Sequence, residues 1–256
     1  MFTDRTALRT TAYGDRGPLA ARVAIYRWQQ DPVDLPGLAL AALAGVGGVV
    51  LDAGCGLGTY VDRLRAERPD LRVLPLDLSA GMAPEVVGDI QALPLADRSI
   101  GGALAMHMLY HVPDIPAAVR ELRRVVQPGG VLVVSTNGAD DKREVDQLLA
   151  GAVHDLTGAT IEVPDADGRF TPGEAGLLRA EFGSVEVELL ERETLVPEVE
   201  PVVAYVDSMR ALTGSLVPAG VPWEAFLGAV RARVAAEIDR HGAWRLGNQV
   251  GVLTCR

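Results

Sequence analysis

Cysteine is scarce: Cys55 and Cys255 are the only two in 256 residues, and they stand far apart. That excludes a disulfide framework and suits a reducing compartment. The opening, MFTDRTALRT, lacks the basic-then-apolar layout of a secretory signal, so a cytoplasmic protein is expected. Positive charge is also short. The net charge is -10, and between Asp140 and Glu200 there are 16 acidic residues against 5 basic ones. A nucleic-acid binder should present a basic face instead, which argues against a DNA or RNA substrate. No uncharged run reaches the roughly 20 apolar residues of a membrane span. The nearest, Leu35 to Leu51, is shorter and carries Pro36 and four glycines, so a buried helix, a turn and a first strand explain it better. Neither a G-x-S-x-G elbow nor a phosphate-binding loop occurs. What remains, with 48% hydrophobic residues, is enough for one large domain or a domain with an insertion.

The informative stretch is VVLDAGCGLGTY, Val49 to Tyr60. An apolar run ends at Asp52 and passes into Gly54, Gly56 and Gly58 before helix-compatible sequence begins, which reads as strand, tight loop, helix. Glycines just after a strand let backbone approach a ligand closely, at the edge where open α/β sheets gather their ligands. Thr59 stands where a dinucleotide loop wants its third glycine, so G-x-G-x-x-G is not met. Asp52 suits a ligand with a cationic amino group and would repel a pyrophosphate.

Before this loop, residues 1 to 46 read as helical, with Leu19, Val23, Ile25 and Tyr26 near one face and a second apolar helix over Leu38 to Leu43. They form either a cover packed on the sheet edge or a cap over the ligand into which Tyr13 and Arg22 reach. After the loop, strand and helix patterns alternate, the sign of a parallel sheet. Leu71 to Asp77 is a second strand ending in a carboxylate. Asp77 can accept from both hydroxyls of a ribose, or else cap the short turn that begins at Ser79. Asp89 can accept from an adenine amino group while Ile90 covers the ring, or be a plain loop residue. Ile100 to Met106 is a strand that delivers His107, Tyr110 and His111 to the same edge. Asp114 can cap the following helix, Pro128-Gly129-Gly130 is expected to end it, and Val131 to Thr136 belongs in mid-sheet. Then come an acidic helix over 141 to 156, a turn-rich stretch over 164 to 168, a helix over 170 to 182, and a half-exposed strand from Ser184 to Leu190. Helices over 199 to 212 and 223 to 241 and a last strand, 249 to 254, complete the pattern. Tyr205, Met209, Trp223 and Phe226 offer an apolar wall, with core the favoured reading over a substrate wall or a dimer contact.

His107, directly after a strand and with an ordinary pKa of about 6.5, is the first candidate for a general base, against a merely structural hydrogen-bonded role. Tyr110 and Tyr13 are lesser candidates. His107 and His111 would share a face on a helix, but nothing nearby completes a zinc set, so no metal is expected. Cys55 has no basic partner that would activate it as a nucleophile.

Five blocks taken together, VLDAGCGLG at 50–58, LDLSAGM at 76–82, GDIQALPLADRSI at 88–100, MHMLYHVPD at 106–114 and ELRRVVQPGGVLVVST at 121–136, resemble the class I S-adenosylmethionine-dependent methyltransferases. The resemblance is to the ubiquinone-biosynthesis-like, methyltransferase type 11 branch. It implies an α/β Rossmann-like fold, a seven-stranded sheet of order 3-2-1-4-5-7-6 with the last strand antiparallel. A helical cap over 1–46 would precede a methyltransferase domain over 47–256, with a helical insertion at about 197–242. It implies S-adenosyl-L-methionine as cofactor, S-adenosyl-L-homocysteine as product, and a small-molecule methyl acceptor, with no nucleic acid, no membrane, and a monomer or homodimer. Carried onto this chain, Asp52 and the backbone of Gly54, Cys55 and Gly56 would meet the methionine portion. Asp77, with Leu78 beside it, would hold the ribose, and Asp89 and Ile90 the adenine. The Met106 backbone would meet the methionyl amino group, with His111 beside the cofactor. Gly101 and Met106 depart from the family, where an aspartate and a small polar residue are common. A non-methylating protein on the same fold, a cyclase or a regulatory binder, is the alternative; a nicotinamide dehydrogenase is disfavoured by Thr59 and Asp52.

Overall fold

Strands β1 (Val49–Ala53), β2 (Arg72–Asp77), β3 (Val86–Val87), β4 (Ile100–Met106), β5 (Val126–Asn137), β6 (Val185–Val196) and β7 (Trp244–Cys255) form one sheet of order β3-β2-β1-β4-β5-β7-β6. The computed structural model describes residues 3–163 and 170–256; the turn expected over 164 to 168 lies outside them. The first five strands run parallel, while β7 is antiparallel to both β5 and β6. Every residue of β4 is buried, as are Val50 to Ala53 of β1, because both faces of these strands are covered by helices.

The helices are α1 (Arg5–Ala7), α2 (Gly17–Ala24), α3 (Leu35–Ala42), α4 (Thr59–Glu67), α5 (Ile115–Val125), α6 (Arg143–Thr157), α7 (Ala175–Phe182), α8 (Val199–Ser208), α9 (Arg210–Thr213) and α10 (Trp223–His241). Helix α5 shows how the local sequence decides. Asp114 accepts the Ala117 N–H at 2.9 Å at its start, and Ala118, Val119, Leu122 and Val125 face the sheet. It ends earlier than expected: Val126 already pairs with Ile100 as the first residue of β5, so Pro128-Gly129-Gly130 form a bulged entry into the strand and do not cap the helix. Strands β6 and β7 are likewise longer than alternation alone indicated, twelve residues each, because they pair along their whole length.

Val23 departs from its expected buried face and is 47% exposed. Helices α8, α9 and α10 lie between β6 and β7 and carry a second core, in which Phe226 is buried and Trp223 packs beside it. Among the described residues, no helix is long and apolar enough to cross a membrane.

Candidate active site

The carboxyl ends of β1, β2, β4 and β5 open onto a cavity of about 1040 Å³, at the upper end of the range for small-molecule sites. Its floor is the glycine loop. The N–H groups of Gly54 and Cys55 both donate to the Leu76 carbonyl, at 2.8 and 3.0 Å, which pins the loop against the tip of β2. Gly54 has φ +76, and a Cβ there would sit 2.9 Å from Met108; Gly56 has φ +51. Glycine is required by conformation at both positions, and the result is bare backbone facing the cavity.

Asp77 stands beside that backbone. Its carboxylate accepts from the Gly56 N–H at 3.0 Å and the Ser79 N–H at 2.9 Å. The cap of the following turn is Ser79, whose Oγ accepts from Gly81 N. Burial pushes the Asp77 carboxyl up, partly offset by those N–H donors. Asp52 is 1% exposed and lies behind the cavity wall; both of its carboxylate oxygens are buried without a hydrogen-bond partner among the described residues. Desolvation and then the Asp77 charge raise its pKa to about 7. Two carboxylates in one low-dielectric corner, one of them unpartnered, create a demand for positive charge.

Of the residues assigned to the cofactor or to catalysis, Tyr13, Arg22, Cys55, Leu78, Asp89, Ile90, Met106, His107, Tyr110 and His111 line the cavity, as do Gly54, Gly56 and Asp77, whereas Asp52 does not. Asp89 accepts from Gln91 N at 3.0 Å and pairs with Arg5 at 2.6 Å. His107 and His111 share no helix, since His107 has φ +52 and His111 closes a 3-10 turn over Leu109–His111. The His107 N–H lies 2.9 Å from the Ser135 carbonyl, and its ring bonds to Asn137. Burial, then the nearby Lys142 charge, lowers its pKa to about 4. His111 Nε2 lies 2.8 Å from the Tyr13 hydroxyl. Burial pushes Cys55 up to about 12, so it is held as a thiol. Tyr205 and Met209 line the cavity, whereas Trp223 and Phe226 belong to the helical core.

Sequence reasoning missed a second polar cluster at the far end. Asp141 and Lys142, read there as the start of an acidic helix, form a largely buried ion pair whose charges are felt by Tyr110 and Tyr205. The only early signal was position: both lie just past the end of β5, the edge where such sheets bind ligands.

The sheet order is that of the Rossmann-like methyltransferase fold. Residues 51–134 match the family model described as a methyltransferase domain. These matches support a class I S-adenosylmethionine-dependent methyltransferase. It is similar to a malonyl-[acyl-carrier protein] O-methyltransferase of Serratia marcescens, 38% identical over 106 residues, covering 38% of this chain and 41% of that one. A protein of the same name from Laribacter hongkongensis is 32% identical over 200 residues, covering 67% and 59%. The chain thus spans less than two thirds of either relative. Among solved structures, a Bacillus halodurans C-125 protein provisionally assigned as a methyltransferase superposes with TM-score 0.55 at 16% identity, over 87% of this chain and 98% of that one. Haemonchus contortus Phospholethanolamine N-methyltransferase 2, in complex with phosphomonomethylethanolamine and S-adenosylhomocysteine, gives 0.53 at 15% identity, over 100% and 60%. At such identities the likeness concerns the fold.

Proposed function

We propose that the protein transfers the methyl group of S-adenosylmethionine to a small acceptor, free or tethered to a carrier protein, in the cytoplasm. The observation that carries this reading is the cradle of Gly54–Gly56 backbone between two strand-tip carboxylates, one of them with no hydrogen-bond partner among the described residues. Those residues fit a positively charged nucleoside. Asp77, already oriented by two backbone N–H groups, keeps acceptor capacity for ribose hydroxyls, with Leu78 against the sugar. Asp89 and the buried Ile90 serve the adenine, and Arg5 holds Asp89 in place. The Met106 carbonyl and the glycine-loop backbone serve the methionine portion, and Asp52 supplies its negative field from behind. Tyr13 and His111, bonded to each other, close over the cradle.

When bound, the cofactor supplies an electrophilic methyl on a sulfonium. The chain's own part is to align the acceptor, exclude water and stabilise charge in a low-dielectric cavity. The names of both relatives favour methyl transfer over a non-methylating use of the fold, and an oxygen acceptor over nitrogen.

Calorimetry tests the reading. S-adenosylhomocysteine should bind and NADH should not; the reverse, or no binding of either, overturns it.

A further inference from the structure

Asn248 is a buried donor that the cofactor cradle does not use. On β7 it shares a face with Leu246 and Val250, and it is only 4% exposed. Its Oδ1 accepts from the hydroxyl of Thr194 on β6 at 2.6 Å, and Thr194 is wholly buried. Turning the amide over would leave that hydroxyl proton without an acceptor among the described residues, so the bond fixes which way the amide points. Nδ2 is the end left over. It carries two donors, yet it is buried with no hydrogen-bond partner among the described residues. A leucine would fill such a place without leaving a donor unmet.

Asn248 lines the large cavity, together with Gln29, Val33, Leu35 and Val250. The same five residues line a second cavity of about 40 Å³, too small for a cofactor, beside β6. Gln29 is carried there by a bridge to Thr194. The sheet keeps this corner away from the cradle: in the order β2-β1-β4-β5-β7, β7 lies three strands from β1 and two from β4, about 14 and 10 Å at ordinary strand spacing. A cofactor seated over β1, β2 and β4 leaves the space above β5 and β7 for the acceptor. The chemistry here suits an uncharged oxygen. The donor is a neutral amide, and Val33, Leu35 and Val250 are hydrocarbon. A carboxylate would lose its hydration for one neutral bond, whereas a carbonyl loses little and satisfies Nδ2.

We infer that Asn248 selects the acceptor: Nδ2 donates to a carbonyl oxygen in the body of the substrate, remote from the atom that receives the methyl group, and the hydrocarbon beside that carbonyl lies against Val33, Leu35 and Val250. Thr194 is the positioning residue that holds the amide in the donating sense. The inference rests on the cavity being a methyl-transfer site, and it gives neither residue a part in the chemical step.

The test uses the full chain with S-adenosylhomocysteine bound. Methyl pentyl ketone, ethyl hexanoate and N-methylhexanamide are titrated against the alkene in which a methylene group replaces the ketone oxygen, a probe of the same shape without the acceptor. The side-chain amide of Asn248 is followed by NMR in nitrogen-labelled protein and identified by its loss in Asn248→Leu and Asn248→Ala. At least one carbonyl compound should bind tenfold or more tighter than the alkene and shift the Asn248 signal to saturation. Both Asn248 variants should abolish the preference, Thr194→Val should weaken it at least threefold, and Thr194→Ser should restore it. None should move S-adenosylhomocysteine affinity more than about twofold, which also reports a folded site. Equal binding of carbonyl compounds and alkene, an Asn248 signal that no carbonyl compound moves, a preference that survives in the Asn248 variants, or a tenfold loss of S-adenosylhomocysteine affinity in both of them would each overturn the inference. Failure of the unmodified protein to bind S-adenosylhomocysteine would instead sink the underlying methyl-transfer reading.

Discussion

Asp77 touches the cradle most directly, and removing it has a defined cost. Asp77→Ala deletes a carboxylate that accepts from the Gly56 N–H and is proposed to hold the ribose, so S-adenosylhomocysteine affinity should fall by on the order of 2 kcal/mol, about thirtyfold, by calorimetry. Asp52 gives a pH signature. Its folded pKa, about 7, lies above its ordinary value of 3.8, so the folded state holds that proton more tightly and the contribution of Asp52 to stability falls as pH rises from about 4 to 7. His107 works oppositely: it is depressed from 6.5 to about 4, so its burial costs stability below pH 6.5, and that cost fades as pH rises. Comparison with Asp52→Asn isolates the carboxylate: the variant should gain thermal stability over the parent as pH rises through 4 to 7. A cationic ligand should draw the proton off Asp52, so binding near pH 7 should release protons, seen as a dependence of the calorimetric heat on buffer ionisation enthalpy. These residues were legible because motif spacing fixes them to strand tips. Lys142 was not: the charge run around it looks solvated, and only the pairing of Asp141 with Gln249 on a distant strand turns it inward.

At the level of elements, the opening of β4 explains a departure that the sequence left open. Where the resemblance led us to expect an aspartate, this chain has Gly101, and a Cβ there would clash with the Gly47 carbonyl. The turn before β1 occupies the space a side chain would need. Gly101→Asp should therefore destabilise the protein by about 2 to 4 kcal/mol, read as a lower denaturant midpoint with an unchanged slope. Type and order of the elements were readable from apolar runs and glycine punctuation. Lengths were less so, since the upper half of β6 mixes charge and apolarity and becomes a strand through its pairing with β7 from Glu191↔Gln249 to Val196↔Trp244.

Across the whole molecule, the two largest apolar clusters among the described residues are one packed on β1, β4 and β5 and one built around α6, α8 and α10. Leu253 lies in the first and is fully buried on a strand flanked by two others. Leu253→Ala should cost about 2 to 5 kcal/mol in denaturant melts, more than a comparable change on the exposed Leu189 of β6. The same strand has a consequence in time. During synthesis, β5 and β6 emerge well before residues 244–255, which alone fill the gap between them in the sheet. Until that segment leaves the ribosome, the outer side of β5 is a bare edge and β6 has no neighbour over Val185 to Glu191 among the described residues. The nascent chain is then most open to association with other chains or capture by chaperones, and insertion of β7 is the step that withdraws it from both.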